Sequence, residues 1–142
     1  MRIKARFYDE LCGDAMYIRK AVFMQEQGFL NEFDEIDKIS THVVLYNADG
    51  KPVATGRLFP DSDKPNSYII GRVAVLKEFR RNSLGSEVIK ALESKAVEKN
   101  ADSISLSAQC RVQKFYESLG YHATDDLHDD EGCPHVTMMK KL

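Results

Sequence analysis

The chain has 142 residues, the length of one domain, so a second independent core has no room. With 43% apolar residues it can bury roughly 70% of its unfolded surface, which excludes a disordered segment. Twenty Lys and Arg against 22 Asp and Glu leave a net charge of -2 and a pI near 6.1, a balance that suits neither a general nucleic-acid binder nor an anionic-membrane binder.

Cys12, Cys110 and Cys133 are odd in number and far apart, which argues for reduced thiols rather than a disulfide framework. The opening MRIKARFYDE holds no apolar run, and no stretch approaches the ~18 apolar residues of a membrane span. The expected location is the cytoplasm.

Residues 2–8 alternate loosely as a short strand. Leu11, Ala15, Ile18, Val22 and Phe23 then recur at helical spacing and predict a helix from about Asp14 to Gln25. From Glu26 to Asp37 there are five acids and no base, broken by Gly28 and Phe29, which fits a short helix or an irregular loop. Residues 42–59 form two β-rich runs around Asn47-Ala48-Asp49-Gly50, a β-hairpin whose turn can use a positive φ at Gly50. Pro60, Pro65 and Asn66 break the chain before a third β-rich run, Tyr68 to Leu76.

The period then changes. Leu84, Val88, Ile89, Leu92 and Ala96 mark one face of a helix that runs to about Lys99 and stops at Asn100. Residues 103–108 read as a buried strand and Arg111 to Leu119 as a short helix closed by Gly120; two last strands fit 121–124 and 135–140. This order predicts an α/β fold of the α+β kind: a mixed central sheet covered on both faces, with the 84–99 helix as the parallel crossover.

The chemically richest stretch is the turn KEFRRNSLGS at 77–86, between a strand and a helix. A helix amino terminus leaves N–H groups unpaired and carries about half a positive charge, and Ser83, Gly85 and Ser86 are small enough to let a phosphate approach. Arg80 and Arg81 add charge. The stretch is neither a Walker loop nor a dinucleotide-binding Gly-x-Gly-x-x-Gly turn. Read without further context, it is also compatible with a solvated loop whose Ser83 caps the helix.

RVAVLKEFRRNSLGSEVIKALE resembles the coenzyme-binding motif of the GNAT N-acetyltransferases, Arg/Gln-x-x-Gly-x-Gly/Ala after a strand. Arg80 matches the leading residue and Gly85 the second glycine, whereas Ser83 stands where the first glycine is usual. AVFMQEQ, EFDEID, THVV, VATGRL, SLSAQ, KFYESLGY and GCPHVTMMK extend the likeness over nearly the whole chain, toward a bacterial subgroup with a Val-Phe-x-x-Glu-Gln signature. The opening half is also distantly similar to acyl-homoserine-lactone synthases.

The resemblance implies the acyl-CoA N-acyltransferase fold, with splayed strands holding acetyl-CoA as acyl donor and no metal. It implies that Arg80, Arg81, Asn82, Ser83, Leu84, Gly85 and Ser86 hold the diphosphate and that Val73, Ala74 and Val75 hold the pantetheine arm, one of their N–H groups polarising the thioester carbonyl. Tyr116 is the implied acid for the departing thiolate; without the resemblance, Phe115 and Tyr116 read as core aromatics.

A primary amine acceptor arrives protonated, so a base is required. Glu26, Glu35, Asp37, His42 and His135 are the candidates, with Glu26 and His42 placed in the catalytic set and Glu35, Asp37 and His135 at the acceptor. Acids at 26–37 and 125–131 against bases at 77–81 would suit a cationic acceptor at one end and an anionic coenzyme at the other. Cys110, Cys133, His128 and His135 lack the spacing of a metal site, and Cys110 reads as a small buried thiol.

The reading is therefore an N-acetyltransferase acting through a ternary complex. Its alternatives are a non-catalytic coenzyme A sensor of the same fold and an acyltransferase for longer chains. The segments 26–41 and 125–134 are expected to be loops that select the acceptor. A homodimer through sheet-edge or carboxyl-terminal strand pairing is compatible with the sequence.

Overall fold

The computed structural model describes residues 2–29, 33–130 and 132–142. Seven strands form one sheet in the order β1-β2-β3-β4-β5-β7-β6. They are β1 (Lys4–Tyr8), β2 (Thr41–Tyr46), β3 (Pro52–Pro60), β4 (Ser67–Val75), β5 (Ser103–Gln109), β6 (His122–Asp130) and β7 (Cys133–Lys141). Among the described residues only β4 and β5 pair in parallel, and α2 (Leu84–Glu98) makes the crossover between them, as the change of period predicts.

Alternation along the strands assigns the two faces. Val43 and Leu45 of β2, with Ile104, Leu106 and Ala108 of β5, pack against Leu84, Val88, Ile89, Leu92 and Ala96 of α2. Val44 points the other way, into a second cluster with Ala15, Ile18, Val22 and Phe23. Those last four come from α1 (Gly13–Arg19) and the π-helical segment Lys20–Glu26 that continues it. The expected helix over 14–25 is thus present, but its second half is wider, ending with the Gln27 N–H on the Val22 carbonyl at 3.1 Å.

The β2–β3 hairpin closes as expected: Asn47 Oδ1 accepts from the amides of Asp49 and Lys51, and Gly50 has φ 81°. The expected loop at 26–37 includes residues outside the described set; a 3₁₀ turn follows at Glu35–Ile39. A larger difference lies at 125–134. Residues 125–130 and 133–134 lie within the last two strands, which pair antiparallel with a register shift between Ala123 and Leu127. The four aspartates of β6 hide its alternation, because an edge strand can carry charge on both faces. Arg111 to Leu119 divides into a 3₁₀ turn (Cys110–Val112) and α3 (Gln113–Ser118).

One irregularity shapes the middle of the sheet. Thr55 pairs with Ala74 and Arg57 with Gly71, so Gly56 alone faces Arg72 and Val73. This bulge puts Arg72 at φ 52° and turns the second half of β4. Gly56 also lies beneath α2, where a Cβ would stand 2.6 Å from Val88 Cγ1.

Candidate active site

The parallel ladder runs from Ser67/Ser103 to Ile70/Leu106 and stops. β4 continues to Val75 and β5 to Gln109, so the two strands part. A cavity of about 710 Å³ opens into the gap, lined by Val73, Ala74 and Val75 on one side and by Ser107 and Gln109 on the other. A second, of about 490 Å³, lies at the start of α2 and shares Val75, Arg80, Gly85 and Phe115 with the first. Through these shared walls the cavity at the α2 amino terminus adjoins the one in the gap between the strands, and the two together are called the channel.

Arg81 and Ser83 take φ values of 70° and 61°, which curls the backbone ahead of α2. Glu87 donates to the Ser83 carbonyl at 3.1 Å, so the amides of Ser83, Leu84, Gly85 and Ser86 stand outside the helical ladder, at the positive end of its dipole. The Ser83 side chain makes no capping hydrogen bond. The positive φ accounts for the glycine usual there in the motif. At Gly85 a Cβ would stand 3.3 Å from Phe115 Cζ, so glycine keeps both the ring and the channel in place.

The arginine expected to lead this anion site is engaged elsewhere. Arg80 donates twice to Glu26, at 2.7 Å each, and through Nε to the Val75 carbonyl at 3.1 Å. Asn82 bonds the Phe79 carbonyl at 3.1 Å and does not line either cavity. Arg81, Ser83, Leu84, Gly85 and Ser86 do line the second cavity.

Tyr116 lies on the cavity wall, edge-on to Phe115 and Tyr121 with ring centroids at 5.0 and 6.1 Å. Its hydroxyl has no hydrogen-bond partner among the described residues, and burial pushes the phenol up to about 12. The group stays protonated and available to a ligand atom.

The expected proton acceptors fare differently. Both Glu26 oxygens take Arg80 hydrogen bonds, which with the attraction of Arg80, Lys77 and Arg111 hold this carboxyl below its ordinary value and make it a weak base. His42 is 1% exposed in β2, outside the cavity, with Nε2 3.0 Å from the Asp37 carbonyl; burial lowers its pKa, and its place is structural. Asp37 is buried between Arg19 and Arg57, at 2.8 and 2.9 Å, and is likewise removed from the cavity lining. Glu35 is exposed and pairs with Lys38 at 2.8 Å. Only Glu26 and His135 of the five reach the cavity. His135 donates through Nδ1 to the Cys133 carbonyl at 2.8 Å, leaving Nε2 as an acceptor when the ring is neutral.

Sequence reasoning misses several wall residues. Arg57 and Arg72 border the cavity opposite α2 and both bind Asp34, at 2.7 and 3.3 Å. A guanidinium inside a β-rich run is the signal that could have found them. Gln109 donates to Gln27 at 3.0 Å, tying β5 to the end of the π-helical segment, and Ser107 stands immediately beyond the point of divergence.

A family profile for the acetyltransferase (GNAT) domain matches residues 16–142. The N-acetyltransferase YjcF of Bacillus subtilis, itself uncharacterised, is 36% identical over 135 residues, which covers 93% of this chain and 94% of that protein. The crystal structure of Escherichia coli ElaA superposes with a TM-score of 0.85 at 24% identity, over 98% of this chain and 99% of the other. A GNAT family acetyltransferase from Elizabethkingia anophelis, solved with acetyl-CoA bound, shares the fold with a TM-score of 0.76 at 13% identity, over 99% of this chain and 98% of the other. The parted parallel strands, the bare amides at the start of α2 and these matches along the chain have one reading: the protein belongs to the GNAT acetyltransferase family.

Proposed function

We propose that the protein transfers an acetyl group from acetyl-CoA to a primary amine by direct attack of the amine in a ternary complex. The observation that carries this reading is the channel itself. It runs from unpaired amides through a gap where β4 has lost its β5 partner, and it passes an unpartnered phenol.

The residues fit an extended anionic thioester. Ser83 to Ser86 offer amides and a helix dipole to a diphosphate, with Arg81 beside them. Arg80 and Asn82 shape that loop through their bonds to Glu26, Val75 and Phe79 rather than pointing free charge at the ligand. Val73 to Val75 present backbone to the arm, and an N–H there polarises a carbonyl on which charge develops. Bound acetyl-CoA supplies the electrophilic thioester. The Tyr116 hydroxyl gives its proton to the sulfur as that atom leaves. His135 accepts a hydrogen bond from the acceptor nitrogen through Nε2.

Acetyl-CoA offered with a panel of primary amines, while free thiol is followed, tests the proposal. Thiol release above the hydrolysis background with at least one amine is expected. Saturable coenzyme binding with no release on any amine would assign the chain to the non-catalytic sensor reading instead.

A further inference from the structure

The acceptor's proton needs a destination: the carboxylates and His42 expected to take it are paired or lie away from the cavity, and His135 Nε2 is taken up in holding the acceptor nitrogen. We infer that Ser107 and His128 relay that proton, with Asp126 holding the His128 ring; the inference rests on the transferase reading above. Ser107 is the first β5 residue beyond the last β4–β5 pair and lines the cavity. Its Oγ lies 2.7 Å from His128 Nε2. The other ring nitrogen, Nδ1, is buried without a hydrogen bond, and the nearest carboxylate oxygen, Asp126 Oδ1, stands 3.6 Å away. Asp126 is itself fixed: Thr137 Oγ1 donates to its Oδ2 at 2.7 Å, and its amide donates to Thr124 Oγ1 at 3.2 Å. His128 faces His135 across the β6–β7 ladder, their rings stacked at 5.9 Å.

These contacts select a tautomer. With hydrogen on Nε2, the ring would donate to Ser107 and leave a buried Nδ1 lone pair facing a carboxylate, which is repulsive. With hydrogen on Nδ1, that N–H faces Asp126 and Nε2 accepts from the Ser107 hydroxyl. In this arrangement the acceptor ammonium gives a proton to Ser107 Oγ while the serine's own proton passes to His128 Nε2. One N–H bond of the acceptor breaks, one Nε2–H bond forms, and the serine ends unchanged. The imidazolium lies beside Asp126, 3.6 Å from Oδ1, and returns its proton to solvent from the partly exposed edge of β6. Ser107 is the catalytic residue here; His128 and Asp126 are positioning residues that act through it.

Two measurements test the relay. Ring ¹⁵N–¹H correlation spectra, with His128→Asn used for assignment, should show neutral His128 with hydrogen on Nδ1; hydrogen on Nε2 would overturn the relay, whether or not the protein turns over. The second compares 2-phenylethylamine, protonated at neutral pH, with O-benzylhydroxylamine, which is not. Ser107→Ala and His128→Asn should lower kcat for the first by ~100-fold with the acetyl-CoA KM unchanged, and should scarcely affect the second. Ser107→Thr should recover part of the loss. An equal loss on both acceptors, or acetyl found covalently on Ser107, would contradict the relay. If wild-type protein releases no thiol with any amine, the transferase reading fails and the tautomer alone judges the ring.

Discussion

Tyr116 shows how one environment both limits and suits a residue. Burial pushes its phenol to about 12, which makes it a poorer acid than a thiol of about 8.5. In the proposed reaction it therefore acts by position, as a hydroxyl with no partner among the described residues that donates when charge reaches the sulfur. Tyr116→Phe should lower turnover by ~100-fold while leaving the coenzyme Kd nearly unchanged, in paired kinetic and calorimetric measurements. Since the neutral phenol is the working form, wild-type rate should show no alkaline loss from this group until the pH nears 12. Asp37 works in the opposite direction. Burial alone would raise its carboxyl, but hydrogen bonds from Arg19, the Asp34 amide and Arg57 overcome that and hold it at about 2. A carboxyl lowered from 3.8 stabilises the fold at pH above that ordinary value, by about 2 kcal/mol, and loses the contribution as the pH falls toward 2. Asp37→Asn should cost about 3–5 kcal/mol at neutral pH, because the buried Arg19 and Arg57 guanidinium groups lose a carboxylate that both of them bind. The deficit should shrink as denaturant titrations are repeated from pH 5 down to about pH 2.

The site depends on how three elements meet. The bulge in β4, Gly56 in β3 and the underside of α2 form one contact: Gly56 lets Val88 and Leu92 settle onto the sheet where Arg72 and Val73 share a single partner. Gly56→Ala should lower stability by about 1–3 kcal/mol in denaturant unfolding, as an overpacked Cβ pushes α2 outward. At the amino terminus of the same helix, Ser83 holds φ 61° without the compensation of a cap. Ser83→Gly should raise stability by about 1 kcal/mol, seen as a higher Tm, with coenzyme binding retained. The hairpin was legible because Asn47 and Gly50 sit at a turn, and α2 because its five apolar residues repeat at helical spacing. The bulge was not, since a run such as YIIGRVAV reads as a plain strand whether or not a residue is extra. Likewise Asp125, Asp126, Asp129 and Asp130 made an edge strand look like a loop.

Across the whole molecule, the sheet divides its labour. The α2 face carries most of the core, while the α1 face carries a smaller cluster and the buried ion pairs of Arg19, Asp37 and Arg57. The proposed coenzyme end could be drawn from the sequence because its chemistry is local: a strand, a turn of small residues and a helix lie within one short segment. The acceptor end was not, because its parts come from distant places. Arg57, Arg72, Ser107, His128 and His135 meet only after five strands have paired, and no spacing announces it. For the same reason His42 and Asp37, plausible bases as isolated letters, turn out to be fixtures of the fold. The central claim is that a coenzyme A tail docks on the amides that precede α2 and its arm enters the gap between β4 and β5. Amide chemical-shift mapping during a coenzyme A titration tests this most directly. The account predicts that the largest changes fall at residues 81–86 and 73–75; saturable binding that leaves these amides unmoved, or no binding at all, would contradict it.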